Sequence, residues 1–227
     1  MDIGAEGPTI AIAEACEGIE AAALSIRSGD ISIVCTDDCL NAANSDLANY
    51  DFAINISGGT IVAYTTAGDG FDSNGSLTIS GGTFCLNTLD DAIHSNGTVA
   101  ITGGNYEIST GDDGIHGDME LAVEDGNIQI LQSYEGLEAN QITISGGQIS
   151  VVSSDDGINA SGGPSGRGMG GAAETSSDGA AEMPNIYILG GEITVDAGGD
   201  GVDSNGNLYV EGGTLIIDGP AGSGNGS

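Results

Sequence analysis

A phrase of acid, small residue and apolar residue returns eight times along this chain. It reads Glu17-Gly18-Ile19, Asp38-Cys39-Leu40, Asp69-Gly70-Phe71, Asp91-Ala92-Ile93, Asp113-Gly114-Ile115, Glu135-Gly136-Leu137, Asp156-Gly157-Ile158 and Asp200-Gly201-Val202. Successive acids lie 21, 31, 22, 22, 22, 21 and 44 residues apart. The 31 is one period with a short insertion, and the 44 is two periods' worth of chain with a longer one. A fixed period near 22 is the mark of one structural unit stacked on itself. The repeat runs nearly end to end, so residues 1–227 are read as a single domain rather than two.

Laid over one another, the repeats give the shape of the unit. After the acid phrase comes an alternating stretch (Leu77 and Ile79, Val99 and Ile101, Ile142 and Ile144). A glycine corner follows (Gly81-Gly82, Gly103-Gly104, Gly146-Gly147), then a second alternating stretch (Phe84 and Leu86, Tyr106 and Ile108, Ile149 and Val151). Period-two alternation bounded by glycine means half-buried strands. The apolar residue after each acid marks a third, shorter strand. Three short strands in each ~22-residue repeat describe an all-β, single-stranded parallel β-helix of about eight coils. Neighbouring coils sit ~4.8 Å apart, so like residues stack in columns. Two segments leave the coil: a short side loop at 44–50, and a Gly/Ala/Ser-rich insertion at 162–184 with linker composition.

The charge narrows the partners. The chain has 34 acidic residues against Arg27 and Arg167, with no lysine, for a formal charge of −32. Such a surface repels nucleic acid and anionic membranes and invites cations. No apolar run is long enough to span a bilayer, and Met1-Asp2 does not open a signal peptide. Of the four cysteines, Cys35 and Cys39 share one loop, and Cys16 is expected close to Cys39 one coil earlier. One disulfide among these three would suit an exported protein, with four free thiols the alternative. Cys85 reads as unpaired and outward.

Stacking turns the repeated acid into a physical problem. Two bare carboxylates ~4.8 Å apart repel by roughly 3.5 kcal/mol at an effective dielectric near 20. The eight acids form one column, and a second acid often precedes the first (Asp37, Asp90, Asp112, Asp155). Three residues on runs another polar column: Glu20, Asn41, Asp72, His94, His116, Glu138, Asn159, Asp203. Two further on come Asn74, Asn96, Asp118, Asn140 and Asn205. Carboxylate and amide oxygens in this density favour a hard divalent ion, and flexible geometry favours Ca2+. The expected ligands are Asp69, Asp72, Asp90, Asp91, Asp112, Asp113, Asp118, Glu135, Asp155, Asp156, Asp200 and Asp203. Asp69, Asp72 and Asn74, and Asp200, Asp203 and Asn205, are read as a second possible cluster. The plain alternative is that these residues turn the chain through side-chain hydrogen bonds. His94 and His116 are read as loop residues at a tolerant polar position, with metal binding or proton transfer as the alternative.

These strings resemble a known family. Asp90-Asp91-Ala92-Ile93-His94-Ser95-Asn96, Ile142-Thr143-Ile144-Ser145-Gly146-Gly147, and Asp156-Gly157-Ile158-Asn159-Ala160-Ser161-Gly162-Gly163 with the Gly-rich insertion behind it carry the likeness. So do Gly199-Asp200-Gly201-Val202-Asp203-Ser204-Asn205-Gly206 and Gly213-Thr214-Leu215-Ile216-Ile217-Asp218-Gly219-Pro220. They resemble the secreted bacterial carbohydrate-binding β-helix proteins related in fold to polysaccharide lyases, over roughly residues 16–220. The bias of parallel connections, together with this resemblance, gives the expectation of a right-handed coil. The chain departs from the family in lacking lysine, and it is read as ending before the family's usual C-terminal part. The resemblance implies bound calcium, plant cell-wall polysaccharide (cellulose or polygalacturonate) as partner, and a secreted or cell-surface protein.

The residues themselves weigh against an enzyme. A pectate lyase needs a strong base, and neither Arg27 nor Arg167 falls near the densest acids. The acid pairs recur coil after coil, as a structural or metal motif would, whereas a catalytic site is a unique break in the repeat. Tyr187 and Tyr209, 22 residues apart at one outward position, are expected to stack as a sugar-binding shelf, or else as a ladder that steadies the sheet. The leading reading is therefore a carbohydrate-binding protein. A pectate lyase or polygalacturonase-like enzyme, and a calcium-stapled surface scaffold, are the alternatives.

Overall fold

The computed structural model describes residues 2–3, 7–44, 46–47, 50–161 and 183–220. Among them are 22 strands and no helix. Strands pair in parallel, each with its counterpart one coil earlier and one coil later. The chain is thus a β-solenoid of about eight coils spaced about 22 residues apart.

Register follows the period of the sequence. Leu77 lies between Ile54 and Val99, and the row continues through Leu121, Ile142 and Ile186 to Leu208. Ile61, Phe84, Tyr106, Ile128, Ile149, Ile193 and Leu215 form the row on the second face. Leu40, Phe71, Ile93, Ile115, Leu137 and Ile158 form the third. All but the terminal residues Leu208 and Leu215 are fully buried, because no coil can hide its apolar face except beneath the next. The rings of Phe71 and Phe84 meet edge-on at 5.9 Å. Tyr106, a core position, brings one polar atom inside, and its hydroxyl donates to the Gly103 carbonyl at 2.8 Å. Leu208, Val210 and Ile217 of the last described coil are exposed, with no further described coil upon them.

The corners obey local chemistry. The second glycine of each pair has positive φ, as at Gly82 (126°) and Gly104 (111°), a region that side-chain-bearing residues avoid. The 21-residue step from Glu135 to Asp156 is a one-residue deletion at the Asn140 corner, where Gly117-to-Glu120 faces the shorter Ala139-to-Gln141. In the side loop at 44–50, described in part, Asn44 Oδ1 accepts the amide of Asp46 at 2.9 Å. The insertion at 162–184 lies outside the described residues apart from Met183 and Pro184. One local expectation is corrected. Cys16 does not reach Cys39: its carbonyl accepts the amide of Asp37, while Gly18 stacks under Cys39. Two residues of offset carry the exposed Cys16 thiol to a different column.

Candidate functional site

The acid phrase forms the corner between the second and third faces, and its first job is structural. Asp38 Oδ1 accepts the backbone amide of Asp69, Asp69 Oδ1 that of Asp91, and Asp91 Oδ1 that of Asp113, each at 2.8 Å. Asp113 does the same for Glu135 at 3.2 Å and Asp156 for Asp200 at 2.6 Å. Each carboxylate therefore stitches its corner to the next coil. The hydrogen-bonding reading and the metal reading are both served, because each group has a second oxygen left over. The residue after the acid must be small: a Cβ on Gly136 would meet the Gly157 carbonyl and the Val151 side chain.

The second oxygens gather around the two histidines, which are the centre of the site rather than tolerant loop residues. His94 Nδ1 lies 2.8 Å from Asp72 Oδ1 and 3.6 Å from Asp69 Oδ2. His116 Nδ1 lies 3.0 Å from Asp91 Oδ2 and 3.6 Å from Asp113 Oδ2. Their Nε2 atoms face Asp118 Oδ1 at 3.7 and 3.5 Å, and Glu138 Oε2 stands 3.7 Å from His116. The imidazoles pack at 5.0 Å between centroids. Burial alone would lower the pKa of His94, but hydrogen bonds to Asp118 and Asp72 and the charge of Asp69 raise it to about 11. His116 is raised too, burial again opposing the pull of Asp91 and Glu138. In a chain without lysine, these rings are the internal counter-cations.

The carboxylates are under the opposite pressure. Burial, then the charge of Asp91, pushes Asp69 up to about 9. Burial pushes Asp38 to about 7, and burial with neighbouring Glu138 pushes Glu135 to about 8. Asp113 is raised by burial and by sharing a hydrogen bond with Glu138. The column is thus short of positive charge even with both histidines.

Asp69, Asp90, Asp91, Asp112, Asp113 and Glu135, with both histidines, Glu138 and Tyr134, line one cleft of about 350 Å³. Asp72 and Asp118 close on the histidines from either side. Asp155 and Asp156 continue the column one coil on, and Asp200 and Asp203 reach the more open end beyond them. Asp69 and Asp200 stand five steps apart in the stack, roughly 24 Å at ~4.8 Å a step. Asp69 and Asp72 form a donor set with His94, and Asp69 also lines the main cleft.

Two kinds of donor set result. Glu17, Asp37 and Asp38 offer oxygens within 4.8 Å of one another, as do Asp90, Asp91 and Asp112. Beside the first set, Asn41 donates to Asp38 at 2.9 Å and to Glu17 at 3.4 Å, while its own Oδ1 is buried without a hydrogen-bond partner. Asn159 repeats this: Nδ2 donates to Glu135 at 2.8 Å and Oδ1 is orphaned. Buried acceptors left without a partner beside carboxylates are groups that a hard cation can satisfy, and the oxygen-only sets could hold such an ion. The sets containing His94 or His116 mix nitrogen with oxygen and suit it less well.

The aromatic residues lie in two places. Tyr187 and Tyr209 are in register on the first face, their rings stacked at 4.9 Å with 6° between planes. Tyr134 was not foreseen. It occupies the position taken by Asp90, Asp112 and Asp155 in other coils, is 46% exposed at the cleft, and is held by Asp155, which raises its phenol to about 12. The signal was an aromatic residue in place of the second acid, immediately before Glu135.

Residues 62–114 match the model of a family described as carbohydrate-binding domain-containing protein. The match spans 53 of 227 residues and takes in Asp69, Asp90, Asp91, His94, Asp112 and Asp113 of the cleft lining, with Asp72 beside His94. It supports carbohydrate binding as the class of function. Among solved structures, the chain is similar to a polysaccharide lyase-like protein from C. thermocellum, in its gadolinium derivative. The identity is 16% over 87% of this chain and 84% of that one, with a TM-score of 0.46; at that level the likeness adds nothing to what the coil shows by itself. No curated protein matches the sequence.

Proposed function

We propose that the protein binds plant cell-wall polysaccharide outside the cell, through divalent cations held on the acid column. The observation that carries this reading is the cleft itself: in-register carboxylates raised by burial and by one another, beside orphaned amide oxygens, in a chain of net charge −32. Calcium bound at Glu17, Asp37, Asp38 and Asn41, and at Asp90, Asp91 and Asp112, would supply positive charge with open coordination positions. The protein's own residues do the rest. Oδ1 atoms fix the corners, the histidines balance the inner carboxylates, and Tyr134 offers a ring to a sugar at the rim. A uronate polymer such as polygalacturonate suits this arrangement, because a bridging cation reconciles an acidic ligand with an acidic protein. The stacked and partly exposed Tyr187–Tyr209 pair is where a neutral chain such as cellulose would lie against the protein.

The test is retention on polygalacturonate and on cellulose, with calcium or with EDTA, scoring released sugar in parallel. Calcium-dependent retention on polygalacturonate that Tyr134→Ala weakens is the expected result. Cellulose retention is expected to survive EDTA and to fall in Tyr187→Ala/Tyr209→Ala. Release of unsaturated or reducing ends would make the protein an enzyme. Retention on neither glycan, with calcium changing only thermal stability, would leave a scaffold.

A further inference from the structure

Cys35 and Cys39 break the rules of the repeat at two facing positions of one corner. Thr65, Thr88, Thr110, Ser133 and Ser153 stand where Cys35 stands. Their hydroxyls bond backbone carbonyls: Thr88 to Asp90 at 3.0 Å and Ser153 to Asp155 at 3.2 Å, each two residues on, and Thr65 to Asp37 of the preceding coil at 2.6 Å. Cys35 Sγ keeps that pattern, 3.0 Å from the Asp37 carbonyl. Where Cys39 stands, the other coils have Gly18, Gly70, Ala92, Gly114, Gly136, Gly157 and Gly201. A side chain there points at the threonine column, for a Cβ on Gly70 would come within 3.2 Å of the Thr88 methyl. Only this corner carries a longer side chain at the small position, and its partner position is cysteine too.

The two thiols are buried, at 2% and 0% exposure. Their sulfurs lie 2.9 Å apart, against ~2.05 Å in a disulfide. The spacing is too close for unbonded sulfurs to prefer and a short movement from a bond. Cys16 and Cys85 are exposed and stand elsewhere.

We propose that Cys35 and Cys39 are joined by a disulfide that closes the corner presenting Asp37 and Asp38. One S–S bond forms as the two thiols give up two protons and two electrons. An exchangeable disulfide accepts the electrons and is itself reduced to two thiols. Because both sulfurs are buried in the closed coil, the exchange takes place before or while the coil closes. The bond clamps both ends of the segment that supplies two of the three carboxylates in the Glu17–Asp37–Asp38 set. It also requires an oxidising compartment, and it does not depend on the carbohydrate reading.

The experiment refolds the full chain in a reduced/oxidised glutathione buffer, blocks free thiols in denaturant, and digests with a protease that cuts before aspartate. Cleavage before Asp37 and Asp38 separates the two cysteines. The expected result is two fragments that stay joined until reduced, with only Cys16 and Cys85 blocked. Wild type is then expected to melt at a lower temperature after reduction, while Cys35→Thr/Cys39→Gly, which restores the repeat, melts alike with and without reductant. Four blocked thiols, or Cys39 joined to Cys16, would overturn the proposal.

Discussion

At the scale of single residues, the site is a balance of charges that cannot reach bulk water. His94 answers carboxylates on the coils before and after its own, and His116 answers its own coil as well, so removing one leaves buried charge without compensation. Breaking a buried pair in this way costs about 3 kcal/mol or more. His94→Gln and His116→Gln are each expected to lower the stability of the calcium-free protein by about that amount, read from urea denaturation in EDTA. The effect should shrink when calcium is added, since the cation takes over part of the neutralisation. An equal loss with and without calcium would show that the rings act through packing alone.

At the scale of the element, each corner works because its small position leaves room for the next coil. Gly136→Ala pushes a methyl against the Gly157 carbonyl and Val151, and neither is the free end of a flexible side chain. Overpacking of this kind costs about 1–3 kcal/mol. Ala92→Gly, at the equivalent position two acid phrases earlier, should cost about 1 kcal/mol or less. Thermal unfolding of the two variants side by side checks the contrast. On the strand faces, Ile142→Ala empties a buried column position stacked between Leu121 and Ile186. It should cost about 2–5 kcal/mol, measured in the same way.

At the scale of the whole molecule, the acid column ties stability to pH. Asp69 and Glu135 have folded pKa values of about 9 and about 8, above their ordinary 3.8 and 4.5. The folded state therefore holds protons that the unfolded chain has lost, and stability falls as pH rises above about 4 and towards about 9. His94 acts in the same direction. Its stabilising charge is fully present below its ordinary 6.5 and is lost as pH rises through about 11. In EDTA the melting temperature is expected to fall steadily from acid to mild alkali. Calcium should reverse or flatten that slope, because it binds the deprotonated oxygens that repel one another in its absence. A calcium-free melting temperature that rises over the same range would overturn the assignment of protonated carboxylates to the folded state.

The period alone determined the coil, its three faces and nearly every buried residue. In a solenoid, sequence distance converts directly into stacking: residues 22 apart become neighbours whatever their chemistry. For that reason the columns of Asp91, His94 and Asn96 and the pairing of Tyr187 with Tyr209 were legible before any coordinates. The period says which residues share a column but not where a side chain at a corner points. That direction depends on the corner's backbone and on which amide the first carboxylate oxygen satisfies. Only the tertiary structure turned the second oxygens inward on His94 and His116, brought Asp69 into the main cleft, set Tyr134 at its rim and shifted Cys16 away from Cys39. Those are matters of a few ångströms between side chains, decided by packing and charge rather than by the repeat.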